Sequence, residues 1–451
     1  MVRSLLFSSI TFLYYFLPAV LVIYYLAPAK VKNLILFLAS FVFYLWGEPK
    51  YSVLLLFSVT AGYMGGRCIE YQRQKKCVSA ADPADRSGKY KGGHDRLVVG
   101  IFTAMTLGLL VFFKYMDFLA DSVNRILGTH VPMVQIALPV GISFYTFQII
   151  SYYVDVYRGE VAAEHNFVDF AAYVTMFPQL IAGPIVNYTE VSSCLKRRTV
   201  TARDFESGVR ILVIGLGSKV IIADRVGMLW NNVQTIGFNS ISTTLAWLGA
   251  VAYSMELYFD FAGYSMMAIG LGKMLGFQIP VNFRFPYISK SVTEFWRRWH
   301  ITLGRWFRDY VYIPLGGSRK GRLRTMFNLF AVWILTALWH GAGYNFLIWG
   351  GMLLGALFLE KLFLLPFLQK SKVIGHVYLL LFVPVTWMAF TITDVQQLGI
   401  YLTRMFPFVN AHTGMVNSMD YIKYLKDYDS LLAMGVLFAT PVPAVIYGRI
   451  K

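Results

Sequence analysis

The stretch from Leu5 to Ala27 reads LLFSSITFLYYFLPAVLVIYYLA, a run of 23 residues without a charged side chain. A helix of about 20 apolar residues is long enough to cross the hydrocarbon core of a bilayer. A secretory signal peptide has a shorter apolar core behind a basic front, whereas only Arg3 precedes this run. The stretch therefore predicts an uncleaved first transmembrane helix.

The composition of the whole chain agrees with this prediction. Of the 451 residues, 57% are hydrophobic and 14% are charged, whereas about 25% are charged in an ordinary soluble domain. These values exclude a soluble enzyme, a disordered chain, a collagen and a secreted disulfide scaffold. The three cysteines, Cys68, Cys77 and Cys194, form no C-x-x-C pair and are odd in number, so we expect neither a disulfide framework nor a metal site.

Many similar apolar runs follow the first one. The predicted membrane segments are residues 5–27, 33–46, 51–69, 97–113, 133–154, 167–187, 207–229, 244–273, 325–341, 344–366, 376–392 and 430–448. Segment 167–187 contains FPQLIAGP at 177–184, whose two prolines and glycine predict a re-entrant segment rather than a full span. The sequence therefore predicts an all-α polytopic membrane protein with about 11 transmembrane helices.

The net charge of +17 reflects basic residues that lie between the apolar runs. The loop at 67–96 holds eight basic and four acidic residues, and the positive-inside rule places such a loop in the cytoplasm. Counting spans from this loop puts the N-terminus outside and the C-terminus in the cytoplasm. The basic balance is thus explained by membrane topology and does not predict a nucleic-acid partner.

Residues 282–324 are unusual in combining ten basic side chains with many aromatic ones. Trp299, Leu303, Trp306 and Tyr310 are spaced i, i+4, i+7 and i+11, which predicts one amphipathic helix at the cytoplasmic interface. One interpretation is a membrane anchor. The other is a cationic mouth for a phosphate-bearing ligand, since guanidinium groups bind phosphate oxygens in pairs.

Two of the seven histidines lie in chemically informative positions. His300 ends WRRWH at 296–300, and His340 ends an apolar run and precedes Gly341. Imidazole exchanges a proton near neutral pH, so either histidine could act as a general base. The alternative for each is a neutral histidine bonded to a backbone carbonyl. Asp260, in an apolar segment, could orient a histidine or form a structural ion pair.

Six motifs resemble the membrane-bound O-acyltransferase (MBOAT) family. The motifs are DVYRGE at 155–160, FPQLIAGPI at 177–185, LYFDFAGYS at 257–265, TEFWRRWH at 293–300, WFRDYVYIPLGG at 306–317 and LWHGA at 338–342. The first three are similar to the bacterial branch that O-acetylates alginate (AlgI-type). The resemblance covers roughly residues 1–355, and residues 356–451 add little to it.

The resemblance implies a single integral membrane domain over residues 1–451, in which re-entrant and interfacial helices surround a tunnel. It implies that His340 is the catalytic histidine and that His300 occupies a second motif position. Arg297, Arg298, Arg305 and Arg308 are then predicted to bind the phosphates of the donor. Residues predicted to line the tunnel or orient the reacting groups are Trp296, Trp299, Asp309, Trp339 and Asp260.

The implied activity is O-acyl transfer in the bacterial inner membrane. The expected donor is cytoplasmic acetyl-CoA, a co-substrate rather than a bound cofactor, and the expected acceptor is an exported polysaccharide. A separate extracytoplasmic SGNH-type acetyltransferase is the expected partner. Three alternatives remain open: D-alanyl or other acyl transfer from a carrier protein, transport with histidines as a proton relay, and a scaffold that recruits another acyltransferase.

Overall fold

The structure is a computed structural model that describes residues 6–79, 93–408 and 416–450. These residues form helices and connecting loops, without a strand in the described ranges. The helices are α1 Leu17–Leu26, α2 Lys32–Gly47, α3 Ser52–Ser79, α4 Gly93–Leu127, α5 Ile142–Arg158, α6 Phe167–Thr175, α7 Phe177–Leu180, α8 Tyr188–Lys196, α9 Ala202–Gly217, α10 Asp224–Ile236, α11 Thr243–Met274, α12 Val292–Arg298, α13 Ile301–Phe307, α14 Arg322–His340, α15 Tyr344–Leu359, α16 Leu365–Lys370, α17 Lys372–Thr391, α18 Val395–Met405, α19 Tyr421–Phe438 and α20 Val442–Ile450. Four π-helical segments, Phe12–Phe16, Ser218–Ala223, Arg308–Tyr312 and Glu360–Leu364, adjoin α-helices.

The protein is a multi-pass membrane protein. Five helical segments of the described chain are long and apolar enough to cross a bilayer: Ala29–Gly47, Pro49–Lys75, Arg96–Leu127, Tyr344–Lys370 and Val373–Thr391. Only 6% of the most apolar window of the third segment is buried inside the protein, so its apolar side chains face outward, as contact with lipid requires. The total of about 11 spans stays a prediction, because other apolar helices are shorter or more charged.

Two predicted spans were wrong in their extent. The segment predicted at 133–154 becomes helical only at Ile142, after Pro139 and after Gly141 in a left-handed conformation at φ 79°. The segment predicted at 430–448 is two helices, since α19 ends at Phe438 and α20 begins at Val442. Pro441 lies in this gap, and its missing N–H prevents the first helix from continuing.

The segment predicted to be re-entrant is broken, as its prolines indicated. Helix α6 ends at Thr175, and the short helix α7 carries Pro178. The Phe177 N–H donates to Ser40 Oγ at 3.0 Å, and the Gln179 side-chain amide donates to the Tyr173 carbonyl at 2.7 Å. Protein therefore covers the irregular backbone, as is needed at membrane depth. The position of this segment relative to the bilayer stays a prediction.

The described chain forms two compact units, of which the first comprises residues 1–212 and 267–280. Its helices pack closely at small residues. A Cβ atom added to Gly66 of α3 would lie 2.3 Å from the ring of Tyr152 in α5. Buried Glu164 accepts hydrogen bonds from Tyr188 Oη at 2.5 Å and from Lys196 Nζ at 2.6 Å. The buried carboxylate of Glu164 is thus paired with groups of the same unit.

The second unit comprises residues 213–266 and 281–451 and has an aromatic core that includes Trp299, Trp349 and Trp387. The single amphipathic helix predicted here was wrong. Helix α12 ends at Arg298, His300 adopts a left-handed conformation at φ 45°, and α13 begins at Ile301. Because the Ile301 N–H donates to the Asn282 carbonyl at 2.9 Å, a tertiary hydrogen bond replaces the helical one. The expectation of a single domain stays a prediction.

The orientation markers fall partly outside the described residues. The basic residues Arg86, Lys89 and Lys91 lie in the interval 80–92, and His412 and Lys451 also lie outside the described ranges. The part of the basic segment that is described continues α3 as far as Ser79. The predicted locations of the two termini therefore stay predictions.

Candidate active site

His300 is held at the junction of α12 and α13, where it is 1% exposed. Its Nδ1 lies 3.2 Å from Asn282 Oδ1. The same oxygen accepts the Thr302 N–H at 3.2 Å and the Thr302 hydroxyl at 2.9 Å, while the Asn282 amide nitrogen donates to Ser265 Oγ at 3.2 Å. Asn282 is itself fully buried. One asparagine therefore fixes the position of the imidazole.

This arrangement also selects the tautomer of His300. The side-chain atom of Asn282 that accepts the Thr302 N–H must be the amide oxygen, because the amide nitrogen is a donor. His300 Nδ1 therefore carries the proton and donates it to this oxygen. Burial lowers the pKa of His300 to about 3, because an apolar environment disfavours the charged imidazolium. His300 is consequently neutral near pH 7. Its Nε2, buried and without a hydrogen-bond partner in the described structure, is a hydrogen-bond acceptor.

His340 lies at the C-terminal end of α14 and is half-buried. Its ring packs edge-on against Trp349 at 4.8 Å, Trp339 at 4.9 Å and Phe390 at 5.3 Å, measured between ring centroids. The Trp339 ring also lies 5.9 Å from the His300 ring. Both histidines thus contact one tryptophan, although 40 residues separate them in the sequence.

A cavity of about 540 Å³ opens beside His300. Its lining includes Trp296, Trp333 and Thr336, together with four basic side chains: Arg297, Arg305, Arg308 and Lys361. Arg308 is paired with Asp309, whose Oδ1 lies 2.7 Å from the guanidinium Nε. The cavity therefore combines a buried histidine and aromatic rings with a group of cations, as an anionic ligand with an apolar end would require.

Three other residues named from the sequence do not line this cavity. Arg298 bonds to Glu294 Oε1 at 2.8 and 3.0 Å and does not line the cavity. Trp299 is 3% exposed and stacks on Phe295 at 5.5 Å in the aromatic core. Asp260 forms an ion pair with Lys219 at 2.5 Å.

Sequence reasoning missed several residues of this site. Asn282 carries no motif signal, since its role depends on a contact across 18 residues. Trp349 lies within the predicted span 344–366, and the sequence does not distinguish it from a residue that faces lipid. Glu360 is fully buried, and its carboxylate accepts two backbone N–H groups at the start of α12, from Val292 at 2.6 Å and Thr293 at 2.9 Å. An acidic residue inside the predicted span 344–366 was the signal that could have identified it.

Comparison with known proteins adds independent information. Residues 158–403 match the model of "MBOAT, membrane-bound O-acyltransferase family". This interval contains both histidines, Asn282 and the residues that line the cavity.

Individual relatives agree with that match. The chain is 43% identical over 350 residues to "Probable alginate O-acetylase AlgI" of Pseudomonas aeruginosa, covering 77% of this chain and 64% of the relative. It is 40% identical over 409 residues to the protein of the same name from Azotobacter vinelandii, covering 90% and 78%. It is also 36% identical over 381 residues to "Peptidoglycan O-acetyltransferase" of Helicobacter pylori, covering 77% and 68%. The chain thus spans less than two thirds of the length of the first of these relatives.

Proposed function

Because the chain belongs to the membrane-bound O-acyltransferase family, we propose that it transfers an acetyl group from a cytoplasmic thioester, acetyl-CoA, towards hydroxyl groups of an exported polysaccharide. The observation that carries this proposal is the contact of two histidines with one tryptophan beside a cavity lined by cations. The names of the relatives, an alginate O-acetylase and a peptidoglycan O-acetyltransferase, support a polysaccharide as the final acceptor.

The donor is proposed to enter through the cavity. Arg297, Arg305 and Arg308 bind the phosphates of CoA, because guanidinium groups form paired hydrogen bonds with phosphate oxygens. The pantetheine arm carries amide N–H groups, and the acceptor nitrogen of His300 can receive one of them. His300 then positions the donor. This assignment follows from its tautomer, since a neutral Nε2 without a proton cannot donate to an oxyanion.

His340 is proposed as the general base. It takes the proton of the acceptor hydroxyl while the oxygen attacks the thioester carbonyl carbon, and the proton later leaves with the CoA thiolate. Trp339 contacts both imidazole rings and keeps their spacing fixed. General base catalysis contributes about 10²–10⁴-fold to a rate. The acceptor in this step is the polysaccharide or an extracytoplasmic SGNH-type acetyltransferase that completes the transfer.

The test is acetyl transfer by purified protein in lipid nanodiscs supplied with labelled acetyl-CoA. We expect His340→Ala to reduce the rate by at least about 10²-fold, and the exposed residue His130 offers a matched control, His130→Ala, with an unchanged rate. If folded His340→Ala keeps the wild-type rate, the general-base assignment is wrong. If the wild-type protein uses only an acylated carrier protein, or moves protons without consuming thioester, the acetyl-CoA proposal is replaced by carrier-dependent transfer or by transport.

A further inference from the structure

Two tryptophan side chains near the histidines have buried indole N–H groups without a hydrogen-bond acceptor in the described structure. They are Trp296, which lines the cavity, and Trp349, which is fully buried. Their rings lie 5.7 Å apart, and the Trp349 ring lies 4.8 Å from that of His340. Because a buried donor without an acceptor costs free energy, such groups in a folded protein require an explanation.

Other tryptophans of the same unit do have acceptors. Trp387 Nε1 donates to Tyr287 Oη at 3.2 Å, and Trp247 Nε1 donates to the Met405 carbonyl at 3.0 Å. Trp387 belongs to the same aromatic cluster and lies 6.3 Å from Trp296, between ring centroids. The fold therefore provides a hydrogen-bond acceptor for the indole N–H of a tryptophan close to the site. Trp296 lines the cavity and Trp349 packs against His340, so both N–H groups lie beside the proposed site.

Acyl transfer needs a hydrogen-bond donor that the histidines do not supply. When a hydroxyl attacks a thioester, the carbonyl oxygen becomes negatively charged and must be stabilised. His300 cannot do this, because its proton lies on Nδ1 and is donated to Asn282. His340 is occupied with the proton of the attacking hydroxyl in the proposed mechanism. A further donor is therefore required beside the reacting carbon.

We infer that the indole N–H of Trp296, assisted by that of Trp349, forms the oxyanion-binding site. This inference rests on the proposed acyl transfer. The hydroxyl oxygen bonds to the carbonyl carbon, and the electron pair of the C=O double bond moves onto the oxygen, which accepts a hydrogen bond from Trp296 Nε1. The double bond re-forms as the C–S bond breaks, and the thiolate takes the proton from His340.

Burial of the two N–H groups is consistent with this role. A hydrogen bond to a charged oxygen is stronger where water is excluded and the effective dielectric constant is low. Since both nitrogens are buried, we expect the ring of Trp296 or Trp333 to turn when the acyl group enters. Trp333 packs edge-on against Trp296 at 5.0 Å and lines the same cavity, so the two rings can move together.

The experiment removes the N–H while keeping an aromatic ring. Trp296→Phe, and replacement of Trp296 by β-(3-benzothienyl)alanine, in which sulfur takes the place of N–H, are compared with wild-type protein in the acetyl-transfer assay. Loss of one oxyanion donor reduces kcat by about 10²–10³-fold, and we expect that loss in both variants with the KM for acetyl-CoA within about twofold of wild type. Trp349→Phe should give a smaller reduction in kcat.

Trp387→Phe is the matched control, because it makes the same change in the same cluster but removes an indole that already has an acceptor. Its kcat should equal that of wild type, even if its melting temperature falls. S-Ethyl-CoA lacks the carbonyl oxygen, so it should bind Trp296→Phe and wild type equally. A benzothienyl variant with wild-type kcat overturns the inference while the proposed function stands. A wild-type protein inactive with every acyl thioester overturns both.

Discussion

Asn282 offers the sharpest test of how the fold sets the chemistry of His300. Replacing Asn282 with alanine removes the oxygen that accepts hydrogen bonds from His300 Nδ1–H and from the Thr302 N–H, both at 3.2 Å. Moving the His300 proton to Nε2 would not avoid an unpaired donor, because that nitrogen is also buried without a hydrogen-bond partner in the described structure. An unsatisfied buried donor costs about 1–3 kcal/mol. We therefore expect Asn282→Ala to lower the free energy of unfolding by about that amount.

Asn282→Asp keeps the accepting oxygen and adds a negative charge. Such a charge raises the pKa of an adjacent imidazole by about 1–3 units. In the wild-type protein the pKa of His300 is lowered by burial, so its contribution to stability is complete above pH 6.5 and is lost as the pH falls from 6.5 towards 3. If a neutral His300 is needed to position the donor, the acid limb caused by its protonation moves up by about 1–3 pH units in the aspartate variant, from about pH 3 to about pH 4–6, where the assay detects it.

The assay is the rate of acetyl transfer from labelled acetyl-CoA between pH 4 and pH 9, together with thermal unfolding in detergent. Ser265→Ala is the control, because Ser265 bonds to the amide nitrogen of Asn282 and not to its oxygen. Its acid limb should coincide with that of wild type. Coincident acid limbs for Asn282→Asp and wild type, in a folded variant, would refute the role assigned to the Asn282 oxygen.

Three further changes test the cavity and its supports. Arg305→Gln should raise the KM for acetyl-CoA several-fold with little change in kcat, whereas Arg298→Gln, which alters an arginine that does not line the cavity, should leave that KM unchanged. Equal KM values for the two variants would favour a membrane anchor. Glu360→Gln replaces a buried carboxylate that accepts hydrogen bonds from two backbone N–H groups at the start of α12. The change should lower the free energy of unfolding by about 1.5–3 kcal/mol, measured by thermal unfolding. An unchanged melting temperature would show that the charge is dispensable. Gly66→Ala introduces a methyl group 2.3 Å from a tyrosine ring in α5 and should lower the free energy of unfolding by about 1–3 kcal/mol. Gly108→Ala is the control, because an added methyl group there has no neighbour within 4 Å and should leave stability unchanged. Similar yields and melting temperatures for both variants would contradict the close packing of α3 and α5.

Several helices could be predicted to within a few residues. The predicted spans at 33–46, 244–273 and 325–341 correspond to α2 Lys32–Gly47, α11 Thr243–Met274 and α14 Arg322–His340. Such predictions succeed because a membrane-spanning helix depends on the summed hydropathy of adjacent residues, and its own backbone satisfies its hydrogen bonds. At 430–448 the error arose where a proline interrupts the helix inside an apolar run, and at 133–154 it arose because the apolar run is not helical before Ile142.

The predicted interfacial helix failed for a different reason. The spacing of Trp299, Leu303 and Trp306 fits one helix, yet the chain turns at His300. Asn282, distant in the sequence, captures the backbone N–H groups of Ile301 and Thr302 and thereby stabilises the left-handed residue. The local spacing of apolar residues contains no information about hydrogen bonds to a residue elsewhere in the chain. Trp299, which the resemblance implied to line the tunnel or orient the reacting groups, lies in the aromatic core.

The sequence by itself determined the class of the protein and the approximate course of several of its helices, and it singled out the two histidines that contact Trp339. These depend on residue type and local spacing, which the chain carries at each position. Only the tertiary structure decided which ring nitrogen of His300 bears the proton, which arginines line the cavity and which indole N–H groups lack an acceptor. Each of these properties depends on the distance between atoms brought together from different helices, and hydropathy and spacing do not specify such distances.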